Sequence, residues 1–184
     1  SLDEAAKEIE ELLRRSHEEL KRVVKEIRDL LRRSHEELRR ALEEIERLLD
    51  EVRRKLEERN VSEKLKKELE EVVKKVRDDL KRIREENKDD IRRLEKKLDD
   101  LRRKNEELIK KLREDLRRLK EEPVDDETVK ELLRRVRKLV RESIEEVKTL
   151  LREAEEKVRR NERKVEEILR RVRETIRRLE ERIK

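Results

Sequence analysis

The chain has 184 residues with no glycine, cysteine or aromatic side chain, and 61% of its residues are charged. That composition excludes disulfides, thiolate chemistry, Cys-ligated metals and base-stacking platforms for single-stranded nucleic acid. A net charge of +6 comes with acids and bases finely interleaved, as in "EEIERLLDEVRRKLEER", which reads as a solvated, ion-paired surface rather than a nucleic-acid or membrane footprint.

High charge alone would suit disorder, but Leu, Ile and Val recur at short regular intervals, which predicts amphipathic helices. The first runs over about 2–59, where Ser1 and Glu4 have the spacing of a capping box. Asn60 is a tolerable left-handed residue past its end, and Ser62 is a good N-cap for a second helix over about 63–121. Pro123 ends that helix, Asp125 caps the third, over about 126–183, and Val124 and Val129 stand at staple spacing. Each helix is about 85 Å long at ~1.5 Å per residue. Short loops, about 60–62 and 122–125, make sequential helices antiparallel neighbours. No apolar run is long enough for a transmembrane helix or a secretory h-region, so a soluble protein is expected.

The segment "LLRRSHEEL" occurs at Leu12–Leu20 and again at Leu30–Leu38, 18 residues on. Eighteen residues make about five α-helical turns, so each repeat returns to the same helix face without drift. Such a period permits straight helices, whereas strict heptads impose a supercoil. All three helices keep it: Leu65, Leu69 and Val76 pass to Ile83, Asn87 and Leu94, and Leu132, Val136 and Val140 pass to Leu150, Ala154 and Val158. The expected fold is all-α: one elongated, straight, untwisted antiparallel three-helix bundle, up-down-up, forming a single domain over 1–184.

The apolar stripe contains polar members. Ser16 and Ser34 lie near the centre of the first helix's arc, with His17 and His35 at its flank, angled so that their rings reach inward. Asn87 and Asn105 lie in the second helix's arc, and Ser143 and Asn161 in the third's. Antiparallel neighbours at one height have index sums fixed by their loop, and His17/Asn105 and His35/Asn87 share one sum, as Asn105/Ser143 and Asn87/Asn161 share another. The polar residues therefore fall into two cross-sections, Ser16, His17, Asn105, Ser143 and Ser34, His35, Asn87, Asn161, about 27 Å apart along the rod. Their physical use is register. A buried amide costs little when paired and much when stranded, so helices that slide lose stability.

Sharper readings fare worse. Adjacent Ser and His point about 100° apart on a helix, and no layer holds an acid to orient the imidazole, so no catalytic site is predicted. One His per layer, without a Glu-x-x-His, does not make a metal site, and no cofactor is expected. A pH switch has more support. An imidazole buried neutral has its pKa lowered, giving stability at neutral pH that is lost as pH falls through the unfolded and then the folded value.

The absence of Gly and Met, the Glu/Lys/Arg surfaces, the caps, the 18-residue period and the paired polar layers together resemble de novo, computationally designed parametric helical bundles with buried hydrogen-bond networks. The resemblance implies a scaffold without evolved activity or natural localisation, obtained by recombinant cytoplasmic expression and requiring no partner. The other reading is a designed interaction module: a heterodimer half with a helical partner, a self-associating oligomer, or a filament subunit. It draws on the Leu12/Leu13, Leu48/Leu49, Leu132/Leu133 and Leu150/Leu151 doublets and on a pH response through the histidines.

Overall fold

The computed structural model describes residues 2–59 and 62–183, and it contains three helices, α1 (Leu2–Glu58), α2 (Glu63–Glu121) and α3 (Asp126–Ile183). The expected capping box at Ser1 and the left-handed residue at Asn60 lie outside the described residues. The helix limits follow from local chemistry. The Arg59 N–H still reaches the Lys55 carbonyl at 3.2 Å, one residue past the end of α1. The Ser62 carbonyl accepts from the Leu65 N–H at 3.2 Å and the Lys66 N–H at 3.3 Å, which is the backbone pattern of an N-cap. At α3 the cap is fully formed: the Thr128 N–H donates to Asp125 Oδ1 at 3.0 Å, the Thr128 hydroxyl donates to the same oxygen, and the Val129 N–H donates to the Asp125 carbonyl at 3.3 Å. Val124 is half-buried and Val129 buried, and Pro123 stands between α2 and α3 where its missing N–H costs nothing.

The chain groups into two compact units, each taking one segment from every helix: unit 1 is Ser1–Asp29 with Arg93–Ala154, and unit 2 is Leu30–Arg92 with Glu155–Lys184. In unit 1, Lys97 pairs with Glu153 and Lys104 with Glu146, so α2 and α3 run antiparallel. Glu8 pairs with Arg137 and Glu19 feels Lys148, so α1 and α3 run parallel. Its core includes Ile9, Leu13, Leu112, Leu116, Val136 and Val140. In unit 2, Glu86–Lys164 and Glu68–Arg182 make α2 and α3 antiparallel, while Glu44–Arg173 and Lys55–Glu180 make α1 and α3 parallel. Its core runs through Ile45, Leu56, Leu69, Leu80, Ile83 and Val172. Each unit is thus an up-down-up three-helix bundle, as the short connections require.

Burial repeats with the sequence period. Ile9, Ile27 and Ile45, at 18-residue intervals, are all buried, as are Val76, Leu94 and Leu112, and Val136, Ala154 and Val172. The outer doublet members Leu12, Leu48 and Leu151 are half-buried, and no large hydrophobic side chain among the described residues is exposed. Among those residues no helix is long and apolar enough to cross a membrane. Leu94 is wholly buried, so Leu94→Ala is expected to lower the unfolding free energy by about 2–5 kcal/mol. Leu151→Ala, at a half-buried position, is expected to cost less, and chemical denaturation of both variants checks the order.

Candidate functional site: two buried polar clusters

The polar residues of the apolar stripe gather within each unit. In unit 1, Ser16 and Asn105 are buried and Ser143 is half-buried. The Ser143 hydroxyl donates to Asn105 Oδ1 at 3.3 Å, long for an O–H···O bond. The amide nitrogen of Asn105 is buried without a partner among the described residues. Turning the amide over would only exchange which end is stranded, because one hydroxyl is its sole bonded neighbour among the described residues.

Unit 2 is better satisfied. The Asn161 side-chain N–H donates to Asn87 Oδ1 at 2.9 Å, joining α3 to α2, with Asn87 buried and Asn161 half-buried. One turn away, Lys157 pairs with Asp90 at 3.5 Å with side chains only 14% and 27% exposed, a second polar tie between the same helices. Ser34 is buried beside this cluster but hydrogen-bonds to neither asparagine.

The histidines stand elsewhere. His17 and His35 are both solvent-exposed, contrary to the expectation that their rings reach inward. The reason is angular: each follows a buried serine by one residue, and the ~100° step carries it past the edge of the apolar arc. His17 lies on the wall of an open groove of about 1300 Å³ between α1 and α2 of unit 1, among charged side chains. The burial that a neutral-imidazole switch requires is therefore not found within either unit. Of the eight polar residues singled out in the sequence, the structure brings two pairs into hydrogen bonds, Asn105 with Ser143 and Asn87 with Asn161, and both pairs lie between α2 and α3.

Sequence reasoning overlooked a pair of acids in unit 2. Glu37 of α1 and Glu162 of α3 lie within hydrogen-bonding reach of each other. Desolvation, the hydrogen bond with Glu37 and its charge together hold the Glu162 carboxyl above the usual carboxylate range, against a smaller opposing attraction from Arg159. The α1–α3 offset seen in Glu44–Arg173 would have placed these residues at similar heights, but sequence pattern alone does not show which long side chains lean together. Among the described residues no group of three or more His, Asp or Glu is arranged to hold a metal ion.

No protein family and no curated protein matches the chain. Among solved structures, one described as "Computationally designed three helix bundle" is similar at 24% identity, covering 99% of this chain and 91% of that one, with a TM-score of 0.43.

The two perturbed carboxyls have opposite pH signatures. Glu162 has a raised folded pKa, so its stabilising contribution is present below the unfolded value near 4.5 and is lost as pH rises through the folded value. Asp125, lowered by its hydrogen bonds from Thr128, contributes stability above the unfolded value near 3.8 that is lost as pH falls through the folded value. Accordingly, Glu162→Gln is expected to raise the thermal midpoint at neutral pH and leave it little changed in acid. Asp125→Ala is expected to lower the midpoint at neutral pH, by an amount that shrinks as the medium becomes strongly acidic. Thermal melts across that range check both signs.

Proposed function

We propose that the chain is a designed structural scaffold with no natural biochemical activity, its helix register set by the two buried polar clusters. The observation that carries this reading is the Asn161–Asn87 hydrogen bond, a buried amide pair embedded in an otherwise aliphatic stripe. Apolar layers of repeated Leu, Ile and Val accept one another in many alignments, whereas a paired amide accepts one. The reading is supported by the sequence features of designed bundles and by the lack, among the described residues, of an exposed large hydrophobic side chain to dock a partner. The chain is proposed to unfold as one domain.

A second reading, a designed interaction module responsive to pH, is favoured by one feature, the α1–α2 groove of unit 1 with His17 on its wall. A partner helix seated there would bury that imidazole. The scaffold reading instead expects a monomer by light scattering after size exclusion both near pH 7.5 and near pH 5, a range in which histidine titrates. An oligomer at neutral pH that dissociates in acid would favour the module.

The register role has its own test. Asn161→Leu strands the buried Asn87 amide and is expected to cost about 1–3 kcal/mol. Replacing both residues with leucine removes the stranded group and is expected to recover that loss, while amide NMR resonances broaden as alternative alignments become populated. A double variant with sharp, singly populated resonances would count against the register role.

A further inference from the structure

The hydrogen-bonded pairs between α2 and α3 repeat one arrangement at 18-residue spacing, Asn87 with Asn161 in unit 2 and Asn105 with Ser143 in unit 1. In unit 2 a carboxamide on α3 answers the asparagine of α2 at 2.9 Å. In unit 1 the α3 residue is a serine, and its hydroxyl reaches one end of the Asn105 amide at 3.3 Å. The other end is stranded, although Asn105 is only 5% exposed. A buried amide with one end unanswered is unfavourable, and it marks a place where a polar partner would be gained at no cost to existing bonds.

Where the shorter side chain stands, α2 and α3 of unit 1 leave a cavity of about 290 Å³. Asn105 and Ser143 line it, together with the half-buried Leu101, Leu108 and Leu139. Apolar walls around a few polar groups are what hold and orient a small neutral molecule. The exposed charged residues around the cavity carry both signs, and Lys104 is paired with Glu146 at 3.4 Å, so the surroundings do not select an ion.

We propose that this cavity binds a small primary carboxamide carrying a short alkyl chain. Such a ligand reproduces the group that Asn161 supplies in unit 2 and Ser143 does not. A primary amide carries a carbonyl acceptor and N–H donors on one plane. Its carbonyl accepts from the stranded Asn105 nitrogen, and its N–H donates to the Ser143 hydroxyl oxygen. If the Asn105 amide turns over, the two ends of the ligand exchange roles, so this ligand class answers either orientation, whereas a ketone answers one. The alkyl chain lies against Leu101, Leu108 and Leu139, where it leaves water. The proposal goes beyond the register reading and does not rest on it, since the Asn105 amide is stranded whatever aligns the helices.

The test is an NMR titration of the isotope-labelled full chain with butanamide at neutral pH. Saturable shifts are expected at the Asn105 side-chain amide, at Ser143 and at the methyl groups of Leu101, Leu108 and Leu139. Their midpoint should lie in the tens of millimolar, as a ligand of about six non-hydrogen atoms allows. Asn87 and Asn161, which already answer each other, should not follow that curve. Pentan-2-one, of the same shape without N–H donors, should bind about three- to tenfold more weakly. Ser143→Asn, which puts the carboxamide of unit 2 into the site, should abolish binding. Asn105→Leu should abolish it too while the fold is kept, because the substitution removes a stranded group rather than creating one. Shifts that rise linearly over the whole chain, equal affinity for pentan-2-one, or an unaltered titration in Asn105→Leu would overturn the site.

Discussion

Everything in this structure depends on removing one aliphatic stripe per helix from water. Isolated helices of this composition have no other reason to associate, because exposed ion pairs contribute little and weaken with salt. Each unit repeats the same solution: Ile, Leu and Val at positions that recur every five turns, flanked by charged side chains that cover the seam. At about 25 cal/mol per Å² of apolar surface removed from water, the rows of buried Ile, Leu and Val within each unit are the main source of its stability. The polar clusters only make sense against that background. Their cost is tolerable because so many neighbouring residues of the stripe are aliphatic and buried.

The two clusters are hydrogen-bonded to unequal degrees. In unit 2 an amide meets an amide, and a half-buried Lys157–Asp90 pair reinforces the same contact between α2 and α3. In unit 1 a single hydroxyl answers Asn105 over a long bond, and the amide nitrogen remains unanswered. A donor stranded in an aliphatic setting is a local liability, typically worth a kcal/mol or more. The better-paired cluster sits in the same unit as the Glu37–Glu162 contact, so unit 2 combines the better-satisfied amides with a pair of like charges.

Much of the helical architecture was legible in the residues, for concrete reasons. Pro123 and Asp125 mark the α2–α3 connection because one cannot continue a helix and the other caps the next, and the 18-residue recurrence of Ile9, Ile27 and Ile45 identifies a buried face directly. The pairing of Asn87 with Asn161 followed from index sums, which constrain height along antiparallel helices well. Azimuth is constrained less well. His17 and His35 adjoin buried serines, yet a single ~100° step puts each side chain on the far side of the boundary between core and solvent. The Glu37–Glu162 contact was missed for the complementary reason: on an exposed face, several long side chains are within reach of several others, and the local sequence does not choose among them. Nor does a pattern repeated so evenly signal where one compact unit gives way to the next.

The evenness of that pattern has a consequence for the connections. A helix shifted along its neighbours by one full repeat brings most aliphatic positions to aliphatic positions and one polar cluster to the place of the other, so hydrogen-bonded clusters spaced at the repeat reject a slip of one turn better than a slip of five. Such a frameshift moves a helix end by about 27 Å. The connections between Glu58 and Glu63 and between Glu121 and Asp126 have four residues each, which reach about 14 Å when fully extended. Short tethers therefore forbid the misalignment that the side chains resist least. Cutting either connection would release a degree of freedom that no substitution in the core can restore, and the severed peptides would be free to reassemble in staggered, open-ended arrays.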